Sequence, residues 1–200
     1  MKLYQFPFAP NPRKVRVYLA EKGIEVPLET VNLPQGEQSQ PEHLARNPLG
    51  ALPVLQLDDG RLLTESLAII EFFEELHPDP PMIGTDPWER ARVRELERMA
   101  ELGLLSRVAR IMHATRSPLP GIEPNPAVAE HARLGLPELM AALDARVGDS
   151  PFAAGQRPSI ADCTLFAAFK LAEMVAIELP VAPNLGRWFE SFSKRPSAQA

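Results

Sequence analysis

The sequence predicts an α/β domain over residues 1–78 followed by an all-α domain over residues 87–200, and three observations carry that prediction. Up to His77 the hydrophobic periodicity switches repeatedly between the strand and the helix period, the mark of strands alternating with helices. His77-Pro78-Asp79-Pro80-Pro81 then places three prolines in five residues, a linker composition. From Asp86-Pro87 onward, a capping residue followed by proline at the first helical position, only helical periodicity remains.

Each element has its own justification. Lys2 to Phe6 alternates as a strand, and Val15, Tyr18, Leu19 and Lys22 mark one face of a helix that ends at Gly23, a residue suited to a left-handed C-cap. Between them lies a stiff turn with Pro7, Pro10 and Pro12. Glu25 to Val31 reads as a second strand, with Val26, Leu28 and Thr30 on one side. Pro41 to Arg46 is a short helical turn, stopped before Asn47-Pro48. Val54 to Leu57 and Arg61 to Leu63 are short strands joined by Asp58-Asp59-Gly60, a hairpin signal. Ser66 to His77 is a helix through Leu67, Ile70, Phe73 and Leu76. This order predicts a mixed sheet with helices packed on it. In the second part, helices are expected over Pro87–Thr115, Asn125–Val147, Ser159–Met174 and Asn184–Ser193, with the proline-rich loop SPLPGIEPNP between the first two.

Composition excludes several functions. With 45% hydrophobic and 24% charged residues the chain is an ordinary folded protein, and its formal charge of -5 disfavours nucleic acid as a partner. No apolar run is long enough to cross a bilayer, so no membrane partner is expected. Met1-Lys2-Leu3 enters a strand directly and not a secretory leader, which points to a cytoplasmic location. The single cysteine, Cys163, rules out an internal disulfide and a CxxC pair; beside Ile160, Leu165 and Phe166 it reads as core. The histidines, at 43, 77, 113 and 131, have no metal-ligand spacing, and no metal is expected.

Four stretches, LYQFPFAPNPRKVRVYLAEKG, NPLGALPVL, LTESLAII and PSIADCTLFA, resemble in order and spacing the cytosolic glutathione transferases, over essentially the whole chain. The resemblance implies a thioredoxin-like N-terminal domain, an all-helical domain that walls the acceptor site, and homodimerisation through the helices after Ser66 and Pro87. Glutathione would be the co-substrate and a small electrophile, disulfide or peroxide the second substrate. It implies a cis Leu52-Pro53 bond that turns the N–H and C=O of Leu52 outward to pair with the cysteinyl part of glutathione. Ser66, read as the cap of its helix, and the helix end suit the γ-glutamyl carboxylate, and Glu65 suits the ammonium. The loop Gly36 to His43 supplies a ligand for the glycyl carboxylate, with Gln38 the best fit and Gln40 next. Ser159-Ile160-Ala161-Asp162 has the form of a capping box and matches the folding signature of the family, with no chemistry assigned.

The family often places a serine, tyrosine or cysteine in the first turn, where it meets the thiol. Here Ala9 offers no donor. Asn11, in a place similar to an asparagine of the Nu class, is the candidate catalytic residue: its amide N–H can hold a thiolate without acting as a base. Asn11 also fits a plain helix cap with Pro12 at the first helical position, and backbone N–H groups of the same helix end are further candidates. A donor from Tyr4 or the helical domain, and a noncatalytic glutathione-binding module, stay open as alternatives. Arg13, Lys14 and Arg16 read as a solvated helix face. For the acceptor pocket the expected wall is Phe6, Phe8, Leu104, Arg107, Val108 and Ile111, with Phe8, Leu104, Arg107 and Ile111 as substrate contacts; Arg107 and Arg110 would favour an acidic electrophile or else pair with carboxylates such as Glu101.

Overall fold

The computed structural model describes residues 1–200. Strand β1 (Lys2–Gln5) leads through the proline turn to α1 (Pro10–Lys22); β2 (Leu28–Thr30), two short 3₁₀ turns and α2 (Pro41–Leu44) follow, and then β3 (Val54–Gln56), β4 (Leu62–Thr64) and α3 (Ser66–Leu76). The strands form one mixed sheet in the order β2-β1-β3-β4, in which only β1 and β2 are parallel. Alternation along the strands splits the core. Leu3 and Leu55 join the main core with α1 and α3, whereas Tyr4 and Val54 join Val31 and Leu52 in a small cluster on the other side. Tyr4 therefore faces away from Leu3, and its hydroxyl donates to Gln56 Oε1 at 2.9 Å.

The second strand is shorter than expected. Pro27 cannot donate to a ladder, and β2 is a free edge on which Leu28 is 51% exposed.

The helical domain contains α4 (Pro87–Arg98) and α5 (Ser106–Arg116), joined without a break by a π-helical segment over Met99–Leu105. The long helix expected over Asn125–Val147 is instead two, α6 (Pro126–Arg133) and α7 (Leu136–Val147), because Gly135 adopts a left-handed φ of 73° and Pro137 begins a new first turn. Helix α8 (Ile160–Met174) runs through the middle of the molecule, buried from Ile160 to Phe169, and α9 (Pro183–Ser193) packs Trp188 and Phe192 beside it. The capping box forms: Asp162 Oδ2 accepts from the Ser159 N–H at 2.9 Å, while Oδ1 accepts from the Ala153 N–H at 2.7 Å and Trp188 Nε1 at 2.8 Å. Cys163 is buried core.

The domains are joined by buried charge. Lys14 is wholly buried, not solvated, with Nζ 2.7 Å from Glu101 Oε2 and 3.9 Å from Glu97 Oε1. Glu97 also accepts from the Thr164 hydroxyl on α8 at 3.0 Å. Nearer the linker, Glu74 accepts from Tyr18 at 2.6 Å and from the Met82 N–H at 2.7 Å.

Candidate active site

Sheet register brings the predicted site segments to one edge. Tyr4 pairs with Val54 and Val54 with Thr64, while Gln5 pairs with Thr30. The turn leaving β1, the Leu52-Pro53 segment entering β3, the start of α3 after β4 and the loop leaving β2 therefore lie at the same end of the sheet.

At that end α1 begins in an unusual way. Ala9, not Asn11, is the N-cap, with Pro10 at the first helical position. A helix normally leaves its first N–H groups free. Here the Ala9 N–H is taken by the Phe6 carbonyl at 3.0 Å, Pro10 and Pro12 have no N–H, and the Arg13 N–H bonds to the Ala9 carbonyl at 3.1 Å. One free backbone donor remains, that of Asn11. The Asn11 carboxamide makes no hydrogen bond within the chain, and its Oδ1 is buried. Arg16, also not a freely solvated residue, donates from Nη2 to the Pro7 carbonyl at 2.6 Å and pins the turn.

The next wall is the Leu52-Pro53 segment, whose peptide bond is cis. Neither the N–H nor the C=O of Leu52 has a partner within the chain. The carbonyl just before it, that of Ala51, accepts from Asn47 Nδ2 at 3.0 Å and His43 Nε2 at 3.2 Å, so the loop is held from below. Gly50 has a φ of 63°, and a Cβ there would stand 3.0 Å from the Gln38 carbonyl. Gln38 is thus packed against the Leu52 loop, buried, with an unpartnered Oε1.

Helix α3 closes the edge. Its cap is Glu65, at a left-handed φ of 66°, and Ser66 is the first helical residue, which corrects the expectation that Ser66 is the cap. The first helical bond runs from the Ile69 N–H to the Glu65 carbonyl at 3.0 Å, so the N–H groups of Ser66, Leu67 and Ala68 are free. The Glu65 side chain is exposed and the Ser66 side chain buried. Three free donors at the positive end of a helix make an anion site.

Between the domains lies an apolar cleft of about 390 Å³. Phe6, Phe8, Ala9 and Pro10 form its floor, and Met112, His113, Leu119 and Met174 are among the residues that face them. Of the expected substrate contacts only Phe8 lines it. Leu104 and Ile111 are fully buried core residues, as is Val108, and Arg107 donates to the Leu134 carbonyl. The misplacement has a physical cause: Leu104, Val108 and Ile111 form the stripe that faces the core, and the cleft face of α5 falls on the adjacent positions Met112 and His113.

His113 is the one titratable residue lining the cleft. Its Nδ1 lies 2.9 Å from Ser117 Oγ, which also accepts the Leu119 N–H at 3.1 Å. Burial lowers the pKa of its imidazole and keeps the ring neutral near pH 7. Sequence reasoning weighed His113 only as a metal ligand; the available signal was a serine one helical turn on, just before a proline.

Residues 3–81 match the sequence profile of the glutathione S-transferase N-terminal domain, and residues 107–196 match that of the C-terminal domain. The chain is 34% identical over 208 residues to glutathione S-transferase 2 of Saccharomyces cerevisiae, covering 100% of this chain and 88% of that protein. It is 32% identical over 207 residues to maleylacetoacetate isomerase of Pseudomonas aeruginosa, covering 98% and 93% respectively. The crystal structure of Gtt2 from Saccharomyces cerevisiae superposes with a TM-score of 0.92 at 34% identity, over 100% of this chain and 99% of that one.

Proposed function

The chain belongs to the glutathione S-transferase family, and on that premise we propose that it is a glutathione-dependent enzyme that adds the glutathione thiolate to small, uncharged, apolar electrophiles. The observation that carries this reading is the end of α1: a single free backbone donor, that of Asn11, beside an apolar cleft that contains one neutral imidazole.

In this reading the free N–H and C=O of Leu52 pair with the cysteinyl backbone of glutathione. The α3 donors and Ser66 hold the γ-glutamyl carboxylate, Glu65 the ammonium, and Gln38 the glycyl carboxylate. The thiol then faces the α1 end. In the tautomer whose Nδ1–H donates to Ser117, His113 presents a bare Nε2 that takes the thiol proton. The Asn11 N–H and carboxamide hold the resulting thiolate, which needs donors and no base once formed. Sulfur attacks the electrophilic carbon held by Phe6, Phe8, Met112 and Met174, the C–S bond forms as the carbon–halogen bond breaks, and the halide leaves to solvent.

The name of the Pseudomonas aeruginosa relative favours a second reading, glutathione-dependent isomerisation of a carboxylate-bearing substrate. The cleft argues against it, because no lysine or arginine lines it to compensate a buried carboxylate. Comparing kcat/KM for an uncharged aryl halide with that for cis–trans isomerisation of a maleyl-substituted acid tests the choice. Conjugation faster by about tenfold or more supports the transferase; the reverse order assigns an isomerase. We further propose a homodimer through the outer faces of α3 and α4, where Glu71 pairs with Arg94 at 3.0 Å and Leu76 and Trp88 are exposed. A reducing, cytoplasmic compartment suits the single buried thiol.

A further inference from the structure

The apolar cleft is bounded on one side by two segments that come from different domains. One is the 3₁₀ turn that carries Leu33 and Pro34 and ends at Gly36. The other is the connection over residues 117–125, between α5 and α6, which carries Pro118 and Leu119. These two segments meet beyond the residues that line the cleft. Gly36 has a left-handed φ of 74°, and a methyl group on its Cα would lie 3.9 Å from Pro120 Cγ. The lips are one methyl group apart, a gap too narrow for a hydrocarbon chain, whose atoms need about 3.5–4 Å to each neighbour.

Residues 117–125 form a strap that is tied at both ends to the end of α5. Pro118 stops that helix, with Ser117 turned to an extended ψ of 132°. The Leu119 N–H donates to Ser117 Oγ at 3.1 Å, and the Asn125 N–H donates to the Ala114 carbonyl at 2.8 Å. Pro118 and Pro120 fix φ on either side of Leu119, which is half-buried and lines the cleft. A wall held this way excludes a clashing ligand instead of yielding to it. The space it bounds is small. About 390 Å³ stands at the low end of ligand pockets, which run roughly 300–1,000 Å³, and the reacting sulfur must enter it as well.

We infer that Leu119 is a specificity-determining residue: held on this strap and backed by Pro120 against Gly36, it limits the acceptor to a single aromatic ring. Phe6 and Phe8, edge to face with centroids 5.6 Å apart, give that ring an aromatic surface to lie on. The inference rests on the transferase reading for the reaction, in which the C–S bond forms as chloride leaves. The fit itself is a property of the cleft alone, and the two can be tested apart.

The test compares benzyl chloride with 4-phenylbenzyl chloride, which is longer by one ring, in the wild type, Leu119→Ala and Pro120→Ala. The readout is kcat/KM at saturating glutathione, each divided by the uncatalysed rate with glutathione. The same rings are also titrated as unreactive alcohols, without glutathione, into protein carrying ¹³C-methyl methionine, and the Met112 and Met174 signals report binding. The wild type should favour the single ring in both assays. Leu119→Ala should shift the ratio toward the longer molecule about tenfold or more, the scale on which an apolar pocket senses a few carbon atoms, and Pro120→Ala should shift it the same way by less. If neither chloride is turned over while the alcohols keep this order, the transferase reading fails and the size limit stands. A wild type that favours the longer alcohol, no saturable binding of either alcohol, or a ratio that Leu119→Ala leaves unmoved in either assay would overturn the inference.

Discussion

Helices α1 and α3 begin at the same edge of the same sheet, yet their ends are built in opposite ways. The start of α3 keeps three free N–H groups over a buried serine. The start of α1 has lost all but one, because Pro10 and Pro12 have no N–H and the Ala9 N–H is taken by the Phe6 carbonyl. A full set of donors suits a carboxylate that is permanently charged and needs only to be held. A sulfur must be ionised and still react, and thiolate nucleophilicity falls as the thiol pKa falls. A single donor favours the thiolate without quenching it. The contrast teaches that an absent hydroxyl at Ala9 does not by itself mean an absent activity.

If α1 holds a reacting sulfur and α3 a bound carboxylate, changes near α1 should lower turnover and changes near α3 should raise KM. The largest effect is expected from His113→Ala, a loss of about 10²-fold in kcat with KM for glutathione unchanged, as for removal of a general base; steady-state kinetics would show it. The pH profile carries the sign. Burial depresses the imidazole pKa, so the base stays neutral and competent below the ordinary histidine value of about 6.5, and wild-type activity should fall only under that pH. An acid limb above it would remove His113 from this role. Asn11→Ala comes next, expected to lower kcat about tenfold through loss of a charge-assisted hydrogen bond of roughly 1.5–3 kcal/mol. For Ser66→Ala, KM for glutathione should rise about fivefold with kcat nearly constant, the cost of one hydrogen bond of about 1 kcal/mol; a fall in kcat alone would erase the contrast between the two helices. The smallest effect is Pro10→Ala, which gives α1 a second N–H and should lower the bound thiol pKa by a few tenths of a unit.

Much of this was legible in the sequence where the signal is local. The turn Asp58-Asp59-Gly60, the capping box at Ser159 and Asp162 and the Gly23 cap each lie within a few residues, and each formed as read, whereas the cap of α3 fell one residue early, at Glu65. What failed was non-local or phase-dependent. Lys14 looks solvated on its own helix and is buried only because Glu97 and Glu101 approach from another domain. Leu104 and Ile111 keep the helical spacing that suggested a pocket wall, but that spacing marks the core side, and the cleft is reached by Met112 and His113 beside it. Asn11 illustrates an intermediate case: its neighbours Pro10 and Pro12 were in plain view, yet their effect on the helix end depends on the cap falling at Ala9 and not two residues later.

The central claim is that the single-donor end of α1 stabilises the thiolate of bound glutathione. Ultraviolet difference titration of glutathione bound to the wild type and to Asn11→Ala measures that directly through the pH dependence of thiolate absorbance. A bound thiol pKa below that of free glutathione in the wild type, rising in Asn11→Ala, is the result this structure predicts. An unshifted thiol pKa in the wild type, or the same depressed value in both proteins, would contradict it.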